Sequence, residues 1–147
     1  MKQLFAVVCA LALLSLISPP EARAVETRHA GPFSYDVSKE VTLNGTVSSV
    51  LTKPSKGMIM GSHLLLSTAS GPVDASLGRF ALSGKGAVSV AAGQQIEVTG
   101  VMKTIKDKQV FLTRTVKVGS KVYTIRNEHG VAMSPQSRER AQRGESL

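Results

Sequence analysis

Val41 to Val50 reads V-T-L-N-G-T-V-S-S-V, and Gln95 to Lys103 echoes it as Q-I-E-V-T-G-V-M-K. In both, apolar residues alternate with small or polar ones through a glycine set mid-strand. That is the pattern of a half-buried strand bent at Gly45 or Gly100. Asn44-Gly45 is also the strongest short hairpin signal, but too few strand residues precede it and the alternation runs through it. Two bent strands predict a sheet that curls shut into a small barrel.

Working outward, Val41 to Lys53 is the first strand, with Val41, Leu43, Val47 and Leu51 sharing a face. Lys53-Pro54-Ser55-Lys56-Gly57 is a turn-rich basic loop extended by Met58 to Gly61. Strand two spans Ser62 to Thr68, with Leu64 and Leu66 inward. Ser70-Gly71-Pro72 turns into strand three, Val73 to Leu77, where Val73, Ala75 and Leu77 alternate with Asp74 and Ser76. The stretch from Gly78 to Gly93 breaks the pattern and has room for one short helix, against which Gly84 and Gly86 argue. Strand four runs from Gln95 to Thr104 and strand five from Gln109 to Val118, with Ile105 to Lys108 as a hairpin tip. A last strand covers Lys121 to Arg126. Three strands, a break, then two strands is the order of the OB-fold, a five-stranded Greek-key barrel.

The ends read differently. Lys2, the apolar run from Leu4 to Ile17 and the Ala22-Arg23-Ala24 site form an export leader, cleaved before Val25. The single Cys, Cys9, falls within it, so residues 25–147 must hold together without disulfides. Removing the leader lowers the formal charge from +8 to about +7, an excess that favours anionic partners. Residues 25–40 read as an arm tacked down by Phe33 and Tyr35, residues 41–130 as the barrel, and residues 131–147 as a disordered basic tail.

His29, Tyr35-Asp36, Val41-x-Leu43-x-Gly45-Thr46-Val47, Gly61-Ser62-His63-Leu64 and Gly93-x-x-Ile96-x-Val98-x-Gly100 together resemble a group of small exported bacterial OB-like proteins of unknown function. The resemblance covers residues 29–130, nearly the whole mature domain, and implies the OB-like fold and a periplasmic address. Its members often carry a Trp near the position of His63 or in strand three. This chain has none, and the resemblance supplies no catalytic residues.

OB-folds bind ligands on strands two and three, between the loops joining strands one to two and four to five. Those loops hold Lys53 and Lys56, and Lys103, Lys106 and Lys108, a candidate surface for an anionic envelope component or a protein partner; loop lysines also serve solubility and edge protection. Nucleic acid fits poorly, because strands two and three lack the aromatic platforms on which bases stack. A second candidate is copper held by Met58, Met60 and His63, since thioethers with imidazole suit Cu(I). The plainer alternative has the two methionines capping one mouth of the barrel and His63 on the strand surface. Asp74 and His63 are candidate cross-strand neighbours, which together with a serine would make a hydrolytic triad, but no G-x-S-x-G elbow is present. Gly78 to Gly86 lacks both the spacing and the Ser or Thr of a phosphate loop. The expectation is a non-enzymatic exported binding module without a cofactor, the alternative a periplasmic copper-handling protein.

Overall fold

The computed structural model describes residues 34–144; the leader and most of the arm, including His29 and Phe33, lie outside them. A 3-10 turn, Val37–Lys39, capped by the Asp36 carboxylate, leads into six strands: β1 (Val41–Leu51), β2 (Ser62–Thr68), β3 (Gly71–Gly78), β4 (Gln95–Ile105), β5 (Lys108–Val118) and β6 (Lys121–Thr124). The order along the sheet is β3-β2-β1-β4-β5-β6, and a parallel pairing of Ala75 with Phe111 and Ser76 with Leu112 joins β3 to β5. Five strands thus close into the expected OB-like barrel, and β6 extends it at β5.

The bent strands make the closure possible. From Val41 to Thr46, β1 pairs with β4; from Gly45 to Leu51 it pairs with β2, so it changes partner around the glycine. A Cβ on Gly45 would stand 2.9 Å from the Ser67 carbonyl oxygen, and one on Gly100 only 2.2 Å from that of Leu112. The glycines permit close approach of neighbouring backbones. Register slips beside Gly100, leaving Arg114 of β5 as the extra residue of a bulge, and again between Val47 and Ser49. Such bulges increase local twist.

Inward positions of all six strands fill the barrel. Val47, Leu64, Leu66, Leu77, Val98, Phe111 and Val116 are essentially sealed from solvent, joined by Tyr123 and Ile125. A smaller apolar group, Ile105, Val110 and Leu112 with Tyr35 and Ile59, lies under the β4–β5 hairpin. Tyr35 thus does tack the arm down, and its hydroxyl donates to Glu40, which also accepts from Arg114 Nη2 at 2.7 Å.

The β3–β4 connection, open to a short helix or a loop by sequence, is a loop, because Gly84 and Gly86 sit at φ of 73° and 71°, left-handed values that a right-handed helix cannot contain. Ala81 and Val88 nevertheless reach into the core as an irregular plug, tied by Val88 N–H donating to the Ala81 carbonyl at 2.8 Å. The tail, expected to be disordered, forms helix α1 (Pro135–Gln142). Ser134 caps it and Pro135 occupies its first turn. Buried Arg138 donates to the carbonyls of Phe80, Ser83 and Lys85, fastening α1 to the β3–β4 connection.

Candidate functional site

The barrel brings the β1–β2 and β4–β5 loops together. Lys108 Nζ lies where a Cβ on Gly57 would come within 2.6 Å of it, so the two loop tips are in contact. Beneath them opens a cleft of about 500 Å³. Met58, Ile59 and Met60 line it from the first loop, Ile105, Lys106 and Leu112 from the β4–β5 hairpin, Gly78, Arg79 and Phe80 from the end of β3, and Arg126, Gly130 and Ala132 from the segment after β6. Met60 and Phe80 are exposed at its edge.

The predicted lysines are distributed unevenly around it. Lys106 lines the cleft, Lys108 sits beside Gly57, and Lys53 and Lys56 are exposed on the first loop. Lys103 is half-buried, and its charge acts on the Asp36 carboxyl of the arm. Lys106 and Asp107 take left-handed φ of 49° and 61°, the two-residue turn that matches the twist of a hairpin.

His63 is wholly buried rather than on the strand surface. Its Nδ1 meets the Asp74 carboxylate at 2.6 Å and its Nε2 the Ile59 carbonyl at 2.9 Å. Both partners only accept, so both bonds form together only when the ring is an imidazolium donating from each nitrogen. Burial opposes that charge, but the bonds to Asp74 and Ile59 and the Asp74 charge outweigh it, and the pKa is raised above the ordinary histidine value. Arg126 is close enough to push the other way. Neither ring nitrogen is free for a metal, and the Met58 sulfur accepts from Ser55 N–H at 3.4 Å within its own loop. Met58, Met60 and His63 therefore do not present three open donors. The His63–Asp74 pair exists as read from the sequence, yet its second nitrogen faces a carbonyl and no serine hydroxyl; Ser62 Oγ donates to the Gly78 carbonyl.

The sequence pattern gives Arg126 only as the end of a strand. It is a buried guanidinium, 9% exposed, that borders the cleft and also a shallower groove near His129. Nη1 donates to the Gly130 carbonyl at 3.0 Å and Nη2 reaches Ser76 Oγ at 3.4 Å, while Nε has no partner among the described residues. No carboxylate among those residues forms an ion pair with it. Burial holds its pKa below the ordinary arginine value. A guanidinium stays charged even so. Sequence offers no signal for it, since a charged residue after inward-facing Ile125 continues the ordinary strand alternation.

Among the described residues, no group of three or more His, Cys, Asp or Glu could hold a metal ion, and no helix is long and apolar enough to cross a membrane. Residues 39–123 match the model of the MamS/MamX magnetosome protein family. No curated protein and no solved structure matches the chain.

Proposed function

The chain belongs to the MamS/MamX magnetosome protein family, and on that premise we propose that it is an exported, magnetosome-associated binding module that takes an anionic ligand at its basic loops. The observation that carries this is the meeting of the β1–β2 and β4–β5 loop tips beside one cleft, with Lys106, Arg79 and Arg126 on its walls, Lys108 against Gly57, and Lys53 and Lys56 exposed on the first loop. Basic side chains from separate loops converge where an OB-fold takes its ligand. Their summed field attracts anions and weakens as salt screens it. The leader at residues 1–24 would deliver the domain across the inner membrane, so the ligand belongs to the envelope or to a magnetosome compartment.

A short polyanion, heparin-derived oligosaccharide, serves as the generic probe. Wild-type protein should bind it with an affinity that falls steeply with salt, and changing Lys53, Lys56, Lys106 and Lys108 together to Ser should weaken binding by about tenfold or more at low salt. Binding indifferent to both salt and the fourfold change contradicts the proposal.

A further inference from the structure

Arg126 is a buried positive charge for which the described residues supply no carboxylate. Asp74, the acid on β3, is already engaged by His63. With His63 protonated, two cations share a single anion. Desolvating an unpaired guanidinium is unfavourable, because its charge loses hydration without gaining a counter-ion.

The guanidinium lies at the cleft. Its Nη2 would stand 3.3 Å from a Cβ on Gly78, which itself lines the cavity. Around it the cavity is aliphatic and thioether in character, with Met58, Ile59, Ile105 and Leu112 on its walls and Phe80 at the rim. Its volume, about 500 Å³, falls within the range of small-molecule sites, roughly 300–1,000 Å³. Methionines adapt to flexible chains, and no pair of aromatic rings is present to grip a flat one.

We infer that the cleft is a site for a single-chain amphiphile with an anionic head, a phosphate or carboxylate, whose head pairs with Arg126 and whose aliphatic chain lies along Met58, Ile59, Ile105 and Leu112. This rests on the reading of the basic loops as an anion-facing surface and narrows it to a ligand class. Nη2, the guanidinium nitrogen closest to Gly78 on the cavity wall, offers the head a charge-assisted hydrogen bond. Lys106 and Arg79 stand at the entrance as longer-range attraction.

The test is calorimetric titration of the full mature chain with decyl phosphate and decanoate, both below their micelle concentrations, against decanol and inorganic phosphate. Either anionic amphiphile should bind saturably at one site; decanol, lacking the head, and inorganic phosphate, lacking the chain, should bind at least about tenfold more weakly. Binding by only one of the amphiphiles assigns the head as phosphate or carboxylate. Arg126→Gln should lower affinity by about tenfold or more, and Arg126→Lys, which retains a cation, by less. A readout on wild-type protein guards against a variant that fails to fold: the Arg126 Nε–H resonance should shift on addition of the bound amphiphile and stay in place with decanol. An unmoved resonance, or equal affinity for decanol, overturns the assignment. Should the lysine-dependent, salt-sensitive binding of oligosaccharide persist in that case, the broader reading of the loops stands and only the amphiphile site falls.

Discussion

His63 shows how one side chain joins the loop to the barrel. It sits on β2, donates to Asp74 on β3, and holds the Ile59 carbonyl of the β1–β2 loop, while the charge of Arg126 from beyond β6 opposes its protonation. Because its folded pKa is raised, the stability it adds is fully present below the ordinary histidine value and is lost as pH rises through the raised value. Thermal melts should therefore show stability declining as pH rises above the ordinary histidine value, and His63→Gln should flatten that decline while costing about 1–3 kcal/mol, the penalty of leaving buried acceptors unmatched. A slope in the variant equal to that of the wild type would contradict the role. Sequence placed His63 beside Asp74 correctly but as a surface residue, whereas the Ile59 carbonyl of the β1–β2 loop meets its ring and the side chain is buried. Strand alternation does not reveal that the chain slips register between Ser62 and His63. Arg126 was illegible for a related reason, since its burial depends on the segment from Asn127 to Met133 folding back to pair Ala132 with it.

At the level of elements, the β4–β5 hairpin carries a cost at its tip. Lys106 and Asp107 both occupy left-handed φ, which disfavours residues with a Cβ by roughly 1–2 kcal/mol each. Asp107→Gly should raise stability by about 0.5–1 kcal/mol in chemical denaturation, with oligosaccharide binding unchanged because no lysine is lost. A destabilised variant would show that the Asp107 side chain holds the turn in some other way. Strand positions were largely legible, because each strand carries alternation bounded by turn residues; β2 matches its sequence-derived limits, and the others differ by a few residues at their ends. Helix α1 was missed. Its residues are almost all polar, and the helix is held by one buried arginine and an N-cap rather than by an apolar stripe. Ser134-Pro135 followed by Ser137 was the available clue, an N-cap next to a proline in the first turn.

For the whole molecule, function follows from closure. The β1–β2 and β4–β5 loops are far apart in sequence, and the barrel circuit β1-β2-β3-β5-β4 makes their tips neighbours. Gly45 and Gly100 were recognisable as bends from the pattern around them, and the bends predicted closure; which side chains would line the resulting cleft was not recognisable, because four separate segments contribute to it. A sheet left open between β3 and β5 would separate Gly78 and Arg79 from Leu112 and abolish the cleft. The most direct test is nuclear Overhauser contact between β3 and β5 in solution, with amide exchange measured at the same strands. Closure predicts cross-strand contacts at Ala75–Phe111 and Ser76–Leu112, with ladder amides protected to the level of global unfolding. Absence of those contacts, with amides of β3 and β5 exchanging like those of free sheet edges, would contradict it.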